Sequence, residues 1–143
     1  MSGNFTLTII KPVAYSRNYA ATILKRITDA GYWIVVVKTL QMTTGQAKAF
    51  YEVHKEREFY TRLVEFMSSG PVMVAMLQKS NAVEDFRVLI GKTNPAEAAE
   101  GTIRHDFGTN LTANAVHGSD SDENAQKECN FFFAESERFY QPG

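Results

Sequence analysis

"VMVAML", Val72 to Leu77, presents six apolar side chains in a row. A strand with one face in water alternates apolar and polar residues, so this run predicts a strand covered on both faces. Helical patterns flank it. Leu63, Phe66 and Met67 keep helical spacing up to the stop "SSGP". Beyond the strand, Asn81 and Glu84 read as a capping pair for a helix that carries Val83, Phe86 and Ile90 on one side and ends at Gly91.

Toward the N-terminus, "FTLTII" alternates apolar residues with threonine and stops at Lys11-Pro12, a strand followed by a turn. Ala20, Ile23, Leu24 and Ile27 fall at i, i+3, i+4 and i+7, an amphipathic helix closed by "DAG". "YWIVVVKTLQM" is rich in β-branched and aromatic residues and reads as a long strand. Thr43 with Gln46 makes a capping box, after which Ala47, Phe50, Tyr51 and His54 repeat the helical spacing.

From Gly91 to Asn114 the pattern dissolves, with Ile103, Phe107 and Leu111 as apolar anchors. An irregular stretch this long is uncommon in a compact domain and points to a functional loop. "AVH" follows as a brief strand, and a last helix begins near Ser121 and buries Ala125, Cys129 and Phe132, leaving the short tail "FYQPG". The order β-α-β-α-α-β-α-loop-β-α predicts one domain over residues 1–143, an α/β layer sandwich of split βαβ type.

Bulk properties narrow the function. With 143 residues the chain is long enough to bury a full core. A net charge of −1 argues against general attraction to nucleic acid or anionic membranes, so any anion must be gripped by a local cluster of bases. The single cysteine, Cys129, excludes an internal disulfide and a multi-cysteine zinc site. His54, His105 and His117 show no short metal-ligand spacing. "MSGNFTLTIIKP" has no signal-peptide character, and no segment approaches the ~20 apolar residues of a membrane span. A reducing, soluble, cytoplasmic setting is expected.

"NAVHGSDSDE", Asn114 to Glu123, sets His117 against three acids at the mouth of the last helix. Taken alone, His117 is either a loop histidine near a capped helix or a nucleophile within reach of a charged group. Glu128 lies about 60° to one side of the stripe headed by Ala125, where it is a boundary glutamate or a partner reaching back to the imidazole. Lys11 closes a strand and alone reads as a surface lysine. Arg87 shares a helix side with Val83 and Ile90 and either snorkels from the core edge or serves a site. Arg104 sits in the long loop; Thr93 and Asn114 are turn formers or hydrogen-bonding groups. Tyr51 falls on an apolar helix face. Phe59 is a core contact or an exposed ring able to stack on a base. Together, one histidine and three cations from separate segments suit phosphoryl transfer, in which charge spreads over three oxygens. Neither "GxxxxGK[ST]" nor "GxGxxG" occurs, so a nucleotide site here is neither a P-loop nor a dinucleotide fold.

"NAVHGSDS" resembles the N-x-x-H-G-S-D signature of nucleoside diphosphate kinases. "TLTIIKP", "FYEVHKEREFY", "EFMSSGPV", "NAVEDFRVLIGKTNP" and "GTIRHDF" fall in that family's order, so the resemblance covers essentially the whole chain. It implies a ferredoxin-like α/β sandwich with a four-stranded antiparallel sheet covered by helices. The implied activity is transfer of the terminal phosphate of a nucleoside triphosphate, chiefly ATP, to a nucleoside diphosphate by a ping-pong route through phosphohistidine. Mg2+ would accompany the phosphates, with Asp120 near its water shell. His117 would be phosphorylated on Nδ1, with Glu128 and Ser119 orienting the ring and Tyr51 beside it. Lys11 would bridge the sugar hydroxyl and the transferring phosphate, and Asn114 would hold the sugar. Arg87, Thr93 and Arg104 would bind the β- and γ-phosphates, and Phe59 would stack on the base with Leu111 behind it. Gly118 would leave the ring unobstructed.

The resemblance further implies a homo-oligomer, and the short tail leans toward a tetramer over a hexamer. Two positions depart from the family habit. Val13-Ala14-Tyr15 follows "KP" where Asp or Asn and then Gly or Ala are usual, and Glu58 stands where proline is common. The competing expectation is a ferredoxin-like nucleic-acid-binding module, which the near-neutral charge disfavours.

Overall fold

The computed structural model describes residues 3–142. Its elements run β1 (Phe5–Ile10), α1 (Pro12–Ser16), α2 (Ala20–Asp29), β2 (Trp33–Leu40), α3 (Thr44–Phe50), α4 (Tyr60–Met67), β3 (Val72–Gln78), α5 (Ala82–Ile90), α6 (Ile103–Phe107), β4 (Val116–Gly118) and α7 (Asp122–Phe132). The four strands form one sheet in the order β2-β3-β1-β4, every neighbour antiparallel. This is the ferredoxin-like α/β arrangement.

The apolar run of β3 is covered twice, as its composition requires. Val72, Val74 and Met76 join a core with Ala47, Val64, Met67, Cys129 and Phe132, from the helices α3, α4 and α7. Ala75 and Leu77 point the other way, into a core with Ile23, Ile27, Phe86 and Ile90 from α2 and α5. A fully buried side chain of this size contributes roughly 1.5–3 kcal/mol, so the two layers together outweigh local propensity.

Local signals are met unevenly. Thr43 and Gln46 form the expected capping box on α3. Asn81 does not cap α5: its backbone is left-handed at φ 55 and its side chain donates to Asp85 instead. The expected turn at Lys11-Pro12 opens the short α1, with Lys11 at its N-cap and Pro12 in the first turn. α3 ends at Phe50, and His54 lies in a separate 3-10 turn, Glu52–His54.

The 91–114 stretch is less irregular than its composition. It holds a 3-10 turn at Pro95–Glu97 and α6, whose N-cap Thr102 accepts from the His105 amide. Gly91 starts this stretch at φ 87, and a Cβ there would sit 2.6 Å from Thr102 Oγ1. Both the backbone angle and the close approach demand glycine. The tail does more than its length suggests. The Phe139 amide donates to the Val35 carbonyl at the bulge of β2, and Trp33 Nε1 donates to the Phe139 carbonyl.

Candidate functional site

The pairing of β1 with β4 brings the two ends of the chain together: Ile9 faces His117 and Ile10 faces Val116. Lys11 therefore leaves β1 close to the histidine strand, its amide bonded to the Ala115 carbonyl at 2.8 Å. Ala115 itself adopts φ 77, a region that L residues avoid at a cost of order 1 kcal/mol or more. This bend lies between Asn114 and His117, and both side chains line one cavity of about 520 Å³.

His117 is half-buried. Its Nε2 lies 2.9 Å from Glu128 Oε1, and Ser119 Oγ donates to the same oxygen at 2.6 Å. A carboxylate only accepts, so Nε2 carries the proton and Nδ1 keeps a bare lone pair. Ser119 is buried behind the ring and also accepts from the Leu7 amide at 3.1 Å, which ties the carboxylate to the sheet. The helix cap is Ser121, which accepts from the Asn124 amide. The edge of Phe50 packs against the imidazole, with ring centroids 5.5 Å apart. Tyr51 is buried, with its ring 6.5 Å from that of His117, and its hydroxyl has no hydrogen-bond partner among the described residues. Burial, followed by the charge of Glu128, pushes the Tyr51 phenol well above its ordinary range.

The cations converge with different degrees of exposure. Lys11 is buried, and its Nζ donates to Asn114 Oδ1 at 2.7 Å. Burial first, and then the charge of Arg104, lower its pKa to about 7. Arg104 donates through Nη1 to the Gly91 carbonyl and through Nη2 to the Val116 carbonyl, at 3.1 and 3.0 Å. It thus ties the end of α5 to β4, while its buried Nε has no partner among the described residues. Burial and then Arg87 bring its pKa down to about 10. Arg87 is exposed rather than snorkelling from the core, and makes one long bond, 3.4 Å, to the Asp120 carbonyl. It lines an adjoining groove of about 960 Å³, and Thr93, Arg104, Gly118 and Asp120 belong to both the groove and the cavity.

Asn114 bridges the two walls, since its Nδ2 donates to the Thr93 carbonyl at 2.9 Å. Phe59 and Leu111 are exposed apolar side chains that line the cavity from separate segments. Gly118 has an inward reason for its identity. A Cβ there would lie 2.9 Å from Ile90 Cδ1 and 3.0 Å from Phe86 Cδ2, so the glycine accommodates α5 rather than clearing the imidazole. Neither Val13 nor Glu58 lines the cavity. Sequence reasoning did not single out Phe50, Arg62, Asn124 or Lys127, all of which line it. The helical spacing of Asn124, Lys127, Glu128 and Phe131 was the available signal.

Residues 4–138 match the family model described as nucleoside diphosphate kinase. The chain belongs to the nucleoside diphosphate kinase family. Its relatives are alike over nearly their full length. The nucleoside diphosphate kinase of Flavobacterium psychrophilum is 55% identical over 97% of this chain and 100% of its own. That of Salinibacter ruber is 47% identical over 96% of each. Among solved structures, the Aquifex aeolicus nucleoside diphosphate kinase superposes with a TM-score of 0.94 at 42% identity, over 95% of this chain and 99% of that one. The halophilic nucleoside diphosphate kinase from Halobacterium salinarum, in complex with CDP, gives 0.93 at 30% identity, over 99% and 94%. No helix among the described residues is long and apolar enough to cross a membrane.

Proposed function

We propose that the protein is a nucleoside diphosphate kinase that works by phosphoryl relay through His117. The observation that carries this reading is the Glu128-to-Nε2 bond, which leaves the Nδ1 lone pair free beside a cavity holding Lys11 and Arg104. The lone pair attacks the γ-phosphorus of a nucleoside triphosphate. The bond from phosphorus to the β,γ-bridging oxygen breaks, and the diphosphate leaves with that oxygen. In the second half, a terminal phosphate oxygen of another nucleoside diphosphate attacks the phosphohistidine, and the N–P bond breaks to restore the lone pair.

Each neighbouring group then has a task. Glu128 and Ser119 hold the tautomer and stabilise the ring as it takes on charge. Arg87, Thr93 and Arg104 receive the β- and γ-phosphates; guanidinium forks match their oxygens. Lys11 and Asn114 meet the sugar and the transferring group. The base stacks on Phe59 with Leu111 behind it, a grip worth on the order of 1–3 kcal/mol that ignores base identity in the main. The recessed position of Lys11 and Arg104 favours a small phosphate ester over a nucleic-acid strand, which needs an open basic face.

Mg2+ fits this donor set as a passenger on the nucleotide. Among the described residues no three His, Cys, Asp or Glu side chains gather to hold a metal. Asp120 is the one carboxylate among them shared by cavity and groove, suited to an ion's water shell. When bound, the ion supplies charge neutralisation on the phosphates. We further infer a single domain, a homo-oligomer with the tetramer favoured over the hexamer, and a cytoplasmic location.

Incubation with γ-labelled ATP is expected to leave an acid-labile, alkali-stable phosphate on the protein, and His117→Ala to abolish it. Label on the alanine variant would overturn the assignment.

A further inference from the structure

Phe59 shares its wall of the cavity with a cation that the phosphate chemistry does not use. The Phe59 backbone, φ −78 and ψ −6, is already helical, so Phe59, Arg62 and Leu63 stand at i, i+3 and i+4 on one face of α4. All three line the cavity that holds His117 and Leu111. Arg62 is exposed, and no ion pair or hydrogen bond engages its guanidinium among the described residues. Glu58, four residues earlier, is the expected helical partner, but it precedes the helix and the two do not pair. A free guanidinium therefore flanks the aromatic plate at the distance of one helical turn.

We propose that Arg62 reads the base. This deepens the reading of Phe59 as the stacking platform and rests on it. A guanidinium offers only donors, in a rigid fork. Guanine presents two adjacent acceptors, O6 and N7, and takes both prongs. On that same edge adenine sets a donor amino group beside N7, cytosine presents its amino donor, and thymine or uracil offers O4 alone. Arg62 therefore tilts an otherwise base-tolerant site toward guanine nucleotides, in donor and acceptor alike.

The test uses the full chain, phosphorylated from ATP and then freed of nucleotide. Single-turnover dephosphorylation is followed with GDP, ADP, CDP, dTDP and 7-deaza-GDP. The wild-type protein is expected to favour GDP over the other natural acceptors by about tenfold. The 7-deaza analogue, which lacks N7, loses most of that preference. Arg62→Ala and Arg62→Lys both flatten the preference while leaving ADP, CDP and dTDP rates near wild type, because lysine keeps the charge without the fork. Unchanged melting temperatures show that both variants fold. Three results overturn the proposal: base ratios unmoved by Arg62→Ala, an equal fall for every base, or a preference restored by lysine. A wild-type chain that takes no phosphate from ATP sinks the parent reading itself, an outcome distinct from flat ratios on an active enzyme.

Discussion

The histidine wall and the phosphate wall of the cavity are held in opposite ways. On the histidine side, Glu128 Oε1 takes bonds from both His117 Nε2 and Ser119 Oγ, and Ser119 Oγ takes the Leu7 amide. The Thr8 hydroxyl adds a bond to the His117 carbonyl at 2.8 Å. Behind the ring, Glu128 Oε1 and Ser119 Oγ are both bonded, while Nδ1 keeps its bare lone pair. Across the cavity, Arg104 is anchored by two carbonyls but keeps a buried Nε without a partner among the described residues. Leaving a buried donor unmet costs about 1–3 kcal/mol. A nucleophile must be aimed before the substrate arrives, so its bonds are internal. On the proposed reading, a phosphate grip keeps donors open for the ligand to complete.

Removing Arg104 tests that contrast hardest. Arg104→Ala is expected to lower kcat/KM on the order of 10³-fold and also to lower the melting temperature, since it ties Gly91 to Val116. Arg87→Ala, at an exposed side chain, should slow transfer without altering the melting temperature. If both variants melt alike, Arg104 has no structural share.

The histidine wall is probed by Glu128→Gln, which keeps shape but can present either an oxygen or an amide donor to Nε2. A loss of about 10- to 100-fold in kcat with little change in nucleotide KM is expected, by analogy with partners that fix a histidine's tautomer elsewhere. A KM effect alone would place Glu128 in binding rather than in aiming the ring.

Packing beneath that wall gives a smaller effect. Gly118→Ala forces a methyl against Ile90 and Phe86 and should destabilise by about 1–3 kcal/mol, read by denaturant or thermal unfolding. An unaltered midpoint would mean that α5 yields freely.

The effect spread over the widest range of conditions concerns Lys11, whose pKa is lowered to about 7. Its burial cost is fully present below pH 7 and fades as pH rises toward 10.5, so the nucleotide-free protein gains stability across that window. A bound phosphate favours the charged form. Nucleotide affinity should therefore fall above pH 7, by at most about tenfold per pH unit, with proton uptake on binding. Calorimetry at pH 7 and 9 in buffers of different ionisation heat reads both quantities. A flat affinity profile, or no proton uptake, would show that Lys11 stays charged in the empty site.

Much of the architecture was visible before any coordinates. Val72–Leu77 carried no polar group to turn toward water, and the Thr43–Gln46 box is a local bond between neighbours. Where the outcome depended on distant atoms, pattern reading faltered. Asn81 resembles a cap, yet the chain enters α5 through a left-handed residue there. α6 is five residues long, too short to show a period, although Thr102 stood at its start. Gly118 reads as a glycine beside the imidazole it follows, while the constraint comes from Phe86 and Ile90 on another element. Phe50 was legible as an apolar helix residue but not as the ring against His117.

By itself the sequence determined the layered sheet and the inventory of reactive groups, because hydrophobic spacing and side-chain chemistry are properties of the residues alone. Only the tertiary structure decided which of those groups have their bonds filled and which stay open. Lys11 and Asn114 stand 103 positions apart and meet within 2.7 Å because β1 pairs with β4. Hydrogen bonding is short-ranged and directional, so the imidazole's free nitrogen and the Arg104 Nε left without a partner among the described residues exist only once the chain has closed around them.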